Sequence, residues 1–135
     1  MNRKTLALAI ATMGLSSVAN AAEFEVSITN LTAGVYFTPV IVSAHSPEVA
    51  MFQTGQEAST QLQRIAEGGD VSGMAALLDS VGASVGTSDG LLAPGATTTV
   101  TVNSSDTNTV LSLTSMLLPT NDGCLLYTSP SPRDS

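Results

Sequence analysis

A mainly β fold, an antiparallel sandwich with a short helical insertion, is what the sequence predicts, and three observations predict it. Apolar and polar residues alternate with period two near both ends of the mature region. A stretch with helical spacing lies between them, and Gly, Pro, Asn and Asp collect at the joints. Strands on both sides of a helical insertion must pair non-locally, as the strands of a sandwich do.

Taken in order, the first residues have the layout of a secretory signal. Arg3 and Lys4 supply a positive start, Leu6 to Val18 an apolar stretch, and Ala19-Asn20-Ala21 a small-x-small cleavage site. That apolar stretch, about 13 residues, falls short of the roughly 20 needed to span a membrane. Residues 1–21 are therefore expected to be removed, with Ala22 the first mature residue. Phe24, Val26 and Ile28 then alternate with Glu25, Ser27 and Thr29, which marks a strand with one buried face. Asn30 to Gly34 supplies turn chemistry. Val35 to Ala44 reads as a second strand, and Pro39, which cannot donate to a ladder, puts an edge or a bulge within it.

Between Glu57 and Glu67 the residues Ala58, Leu62, Ile65 and Ala66 recur at helical spacing, and Gly68-Gly69 stops the run. Val71 to Val81 repeats the pattern with Met74, Leu77, Leu78 and Val81 on one side. Gly82 to Gly95 reads as a loop with Pro94-Gly95 as its turn. Strand text returns in Thr97 to Asn103, where Val100 and Val102 alternate with threonines. After a polar turn at Ser104 to Asn108, Thr109 to Leu118 carries Val110, Leu111, Leu113 and Met116 before Pro119. Four strands are few for a closed sandwich, which fits a domain that is incomplete in this chain.

Charge narrows the functional classes. With residues 1–21 removed, Arg64 and Arg133 face eleven acidic residues. Such a surface repels phosphate backbones and anionic lipid, so no nucleic-acid partner and no membrane insertion are expected, while divalent cations are attracted. The same acidity also keeps an exported protein in solution, so charge alone does not select a metal-binding role. Cys124 is the sole cysteine, which excludes an intramolecular disulfide and a Cys-based zinc site.

From Cys124 onward the composition breaks from the Ala/Gly/Thr/Val-rich text before it. Residues 124–135 match the in-frame translation of a transposase sequencing adapter. They are therefore expected to be foreign, leaving 22–123 as a partial domain. A native Ser/Pro-rich linker is the alternative.

Candidate chemistry is sparse. The single histidine, His45, has Glu48 and Glu57 as possible partners. No Gly-x-Ser-x-Gly, His-Glu-x-x-His or phosphate-binding Gly-rich loop accompanies it, so no enzymatic activity is expected. A periplasmic metal carrier or small hydrolase centred on His45 stands as the alternative. For a copper carrier, Met51, Met74 and Met116 would supply thioethers, against their ordinary use as core filler. Asp70, Asp89, Asp106 and Asp122 lie in loops. There each can be a turn former, a helix cap or a calcium ligand.

The order of short motifs carries a resemblance. Thr29-Asn30-Leu31-Thr32, Phe37-Thr38-Pro39, Ala44-His45, Gly55-Gln56-Glu57-Ala58-Ser59 and Ala66-Glu67-Gly68-Gly69 come first. Pro94-Gly95, Leu111-Ser112-Leu113 and the run from Ser115-Met116 through Pro119 to Gly123 follow. Over nearly all of 22–123 the chain resembles the spondin N-type domain of exported bacterial proteins, similar to that of F-spondin and mindin. The resemblance implies a C2-like sandwich that holds calcium in loops at one end and serves extracellular attachment, with no reaction assigned. It matches Asp122 to one calcium ligand of the family. The Asp-Ala-Gly-Thr-like segment that supplies the others is not in this chain, so calcium is expected in the full-length parent only. An interaction module facing an unidentified protein or surface polymer, periplasmic or extracellular, is the expected function.

Overall fold

The structure, a computed structural model, describes residues 3–8, 12–13, 22–120 and 123–130. The expected cleavage site at Ala19 to Ala21 and the candidate ligand Asp122 lie outside the described residues. The elements are β1 (Arg3–Leu8), β2 (Thr12–Met13), β3 (Ala22–Thr29), β4 (Tyr36–Phe37), β5 (Ile41–His45), α1 (Thr60–Gly68), α2 (Ser72–Ser80), β6 (Ser84–Thr87), β7 (Thr97–Ser104), β8 (Val110–Leu118) and β9 (Cys124–Pro130).

Two sheets form a sandwich. The first has the order β2-β1-β3-β7, in which β1 runs parallel to β3 and the other pairs are antiparallel. The second has the order β4-β8-β5-β6, all antiparallel, and β9 pairs with β8. The period-two pattern sets which side chains meet between the layers. Phe24, Val26 and Ile28 of β3 and Val100 and Val102 of β7 point inward onto Val42, Ala44, Leu111 and Leu113 of the facing sheet. Glu23, Glu25, Ser27 and Thr29, the alternate residues of β3, stay half-buried on the other face.

The helices make a third layer on the outer face of the second sheet. Ile65 and Leu62 of α1 and Met74 and Leu78 of α2 pack on Ile41 and Met51. α2 lies within the expected 71–81 stretch, whereas α1 starts at Thr60, three residues after the expected Glu57, because Ser59 supplies the cap. Ser59 caps α1 by accepting the Leu62 N–H at 3.1 Å, and Gly69, at φ 70°, closes it with an N–H bond to Ile65 O at 2.8 Å. At the start of α2, Asp70 accepts from the Ser72 hydroxyl at 2.6 Å and the Ser72 N–H at 3.0 Å. Those two bonds hold the Asp70 carboxyl below its ordinary value, with Arg64 adding a smaller effect.

One segment departs from the sequence-based expectation, and one proline is explained by it. The segment 82–95 is not a plain loop: Ser84–Thr87 forms β6, pairing with β5 from Ile41↔Thr87 to Ala44↔Ser84, and Leu92 bridges to Phe37. Pro39 falls at a bulge, one of the two placements its sequence allows: Phe37 pairs with Leu117 and Ile41 with Thr114, so Thr38, Pro39 and Val40 stand opposite Ser115 and Met116 of β8. β6 also closes one side of the sandwich. Gly86 lies so close to β7 that an added Cβ would fall 2.6 Å from Val100 Cγ1 and 2.9 Å from Thr101 O. Asn103 N–H bonds to Ser84 Oγ at 2.9 Å in the same seam.

Gly86→Ala is therefore expected to destabilise the protein by about 1–3 kcal/mol through overpacking, read from the midpoint of urea unfolding. Asp70→Ala tests the α2 start. A carboxylate whose folded value is depressed stabilises above its ordinary value of 3.8, and that contribution disappears as pH falls through the lower folded value. The variant should melt below the parent at pH 6, and the two melting curves should converge in strong acid. A gap that persists unchanged in acid would remove the carboxylate from the account.

Candidate functional site

One end of the sandwich gathers the turn after β3, the loop leading into β7 and the β8–β9 connection. Its geometry is set by Asn30, which is fully buried at the end of β3. The side-chain N–H groups donate to Val35 O at 2.7 Å and Leu92 O at 3.0 Å, while Oδ1 accepts from Thr32 N at 3.0 Å and Thr32 Oγ1 at 2.7 Å. The backbone completes the joint: Asn30 N–H donates to Ala96 O at 3.0 Å, and Gly95 N–H, at a residue with φ 81°, donates to Asn30 O at 2.7 Å. One buried amide thus uses both donors and two acceptor sites to tie three loop segments together. Sequence reasoning placed a turn here and missed the staple. The Asn-x-Thr spacing directly after an alternating strand was the signal that could have found it, since Asn side chains mimic turn hydrogen bonds two residues on.

The β8–β9 connection is braced similarly. Thr120 Oγ1 donates to Leu117 O and accepts from Gly123 N–H at 2.9 Å, and Leu117 N–H bonds to Gly123 O at 2.9 Å. These contacts tie Leu117 and Thr120 to Gly123. Beside it, Gly34, Tyr36, Leu91, Leu118 and Pro119 line a shallow depression of about 280 Å³.

Several motifs meet in the interior instead. Thr38 N–H donates to Met116 O at 3.0 Å, Thr38 Oγ1 accepts from Met116 N–H at 3.0 Å, and Ser115 Oγ donates to Thr38 O at 2.7 Å. Gly69 packs against the same threonine, where a Cβ would lie 2.9 Å from Thr38 Cγ2. Phe37-Thr38, Ser115-Met116 and the half-buried Gly69 therefore meet at one joint.

His45 is buried at 1 % exposure. Its Nδ1 faces Ser46 O at 2.8 Å and so carries a proton. Nε2 lies 2.7 Å from Ser112 Oγ, itself 2.8 Å from Thr128 Oγ1. Both ring nitrogens are engaged, and Ser112 is fully buried, so both side chains are taken up in contacts within the fold. The thioethers do not converge on it: Met51 and Met74 share the helix-side core, while Met116 is buried outside that cluster. Of the acidic candidates, Asp70 is a helix-start partner, and Asp89 and Asp106 are exposed in separate turns. Among the described residues no group of three or more His, Cys, Asp or Glu side chains is placed to hold a metal ion. No described helix is long and apolar enough to cross a membrane.

A second concave feature, a cleft of about 480 Å³, lies between the 50–59 loop and the helices. Met51, Leu62 and Met74 form its apolar floor, and Gln53, Gln56 and Glu57 its polar side.

Compared with known protein families, the chain matches the family model described as Spondin_N over residues 17–126. No curated protein matches the chain.

Asn30→Asp is expected to cost about 2–4 kcal/mol, because a carboxylate there would turn oxygen toward the Val35 and Leu92 carbonyls and bury a charge. Hydrogen exchange should accelerate most at Thr32, Leu92 and Gly95. An Asn30→Asp variant with unaltered stability and exchange would show that the staple does not hold the loop end.

Proposed function

We propose, because the chain belongs to the spondin N-type family, that it is an exported extracellular interaction module that binds a surface polymer or another protein and catalyses no reaction. The family match over residues 17–126 is the observation that carries this reading. The N-terminal sequence supports export, through the positive start, apolar stretch and small-x-small site described above. The geometry supports a binding role at the loop end: recognition loops work best when a rigid scaffold holds them, and Asn30 and Thr120 supply that rigidity.

Calcium belongs to the same proposal, with Asp122 as one ligand in the complete protein. In the sequence Asp122 follows β8, the strand that matches the family's Ser-Met-x-x-Pro segment. A lone carboxylate is far from the six to eight oxygens that calcium takes, so we assign the remaining ligands to a natural sequence that replaces residues 124–135.

Isothermal titration tests this in two steps. The chain as written should bind Ca²⁺ more weakly than about 10⁻³ M, the loose limit of extracellular calcium modules. A chain carrying the genomic continuation should bind at least tenfold tighter, and Asp122→Asn should reverse that gain. A continuation without an Asp-Ala-Gly-Thr-like segment, or a gain insensitive to Asp122→Asn, would overturn the calcium assignment and leave the interaction role to be judged separately.

A further inference from the structure

We infer that the cleft beneath the 50–59 loop binds a small amphipathic cation, an ammonium head carried on a short apolar body. This site is separate from the loop end and does not depend on the calcium reading. Its volume of about 480 Å³ falls within the roughly 300–1,000 Å³ of small-molecule sites. The floor is built from two thioethers and a leucine, Met51, Met74 and Leu62, each buried and packed in the helix-side core. Leu77, on the α2 bank, is 40 % exposed, so apolar surface continues from the floor up one wall.

The opposite wall is polar and comes from the Gly55-Gln56-Glu57-Ala58-Ser59 motif. Ser59 has a structural task as the cap of α1, but Gln56 and Glu57 are exposed and line the cleft. The wall is shaped by a tight turn in which Gln56 N–H bonds to Gln53 O at 3.1 Å with Gly55 at φ 82°. That turn brings the Gln53 and Gln56 side chains to one rim.

Charge selects the ligand class. Among the described residues, Glu57 is the sole ionisable group lining the cleft. Arg64 is the sole Lys or Arg between Ala22 and Pro130, and it faces away, with its guanidinium 3.8 Å from the Cβ position at Gly73 and its charge acting on Asp70. The carboxylate thus stands at the mouth of an apolar cleft with no described cation of the chain lining it, on a protein of formal net charge −7. A ligand with an ammonium group would meet Glu57 while its chain covers the thioethers, which are soft and adapt to varied apolar shapes. A carboxylate or phosphate ligand would meet repulsion at the same place. All the lining side chains but Leu126 precede Gly123.

The experiment uses the full chain with methyl-¹³C methionine and three probes at matched ionic strength: hexylammonium chloride, hexan-1-ol and sodium hexanoate. Hexylammonium should shift the Met51 and Met74 methyl signals in a saturable way and leave Met116 unmoved. Hexanol should bind several-fold more weakly, and hexanoate more weakly still. Glu57→Gln, at an exposed position that should not disturb folding, should reduce hexylammonium affinity about three- to fivefold, the range of an exposed ion pair, and leave hexanol unaffected. Leu77→Ser should weaken both. Equal binding of the three probes, a Glu57→Gln variant that binds hexylammonium as the parent does, or shifts spread evenly over all methionines would each overturn the assignment.

Discussion

The burial of β5 on both faces is the constraint from which the rest of the architecture follows. All of Ile41–His45 is buried, with Val42 and Ala44 turned toward the facing sheet and Ile41 toward the helices. A strand in that position cannot be satisfied by one neighbouring layer. The β3–β7 pair covers one face, and α1 with α2 covers the other. The helical segment between the strands is therefore part of the core and not an ornament on a finished sandwich.

Double burial brings a cost, because β5 and its neighbour β8 also carry polar side chains on the helix-facing side. Ser43, His45, Ser112 and Thr114 are all buried there, and most find partners within the stripe or on β9. Ser43 Oγ alone has no hydrogen-bond partner among the described residues, a loss of the order of 1–3 kcal/mol. The histidine that stood out in the sequence as possible chemistry belongs to this stripe. Its two nitrogens are taken up by Ser46 O and Ser112 Oγ, so the 2.7 Å Ser–His contact is accounted for by the packing of the sheet.

Legibility in the sequence tracked how much of each signal was local. β3, β7 and β8 were readable because alternation reports a buried face directly, and α1 and α2 because their apolar spacing and glycine stop are local too. β6 was not readable. Ser84-Val85-Gly86-Thr87 holds one large apolar residue, and its glycine is required by the closeness of Val100, a contact fixed from outside the segment. The bulge at Pro39 was foreseen but not what holds it, since Thr38 is bonded by Ser115 Oγ and Met116 N–H from far along the chain. The candidate site was the least legible. Asn30 acts through carbonyls of Val35 and Leu92, and neither partner could be named before the loops were placed. Several residues that gave the family resemblance, Asn30, Thr38, Ser59 and Ser115 among them, are pins of this sort, so the motif order speaks for the fold more than for a reaction.

β9 differs from every other long strand beyond Ala22 in how it is held. It matches β8 over seven residue pairs, from Val110↔Pro130 to Met116↔Cys124, yet none of its side chains is buried. β3 buries three large residues over a similar length, and β7 two. Backbone groups at a sheet edge accept almost any extended segment, whereas a buried face accepts only side chains of suitable shape. Leu125 and Tyr127 pack partly against the sandwich core, which is what a hydrophobic residue at alternate positions achieves without specific fitting. Pairing without burial is the pattern expected of a segment that occupies the β8 edge through its backbone.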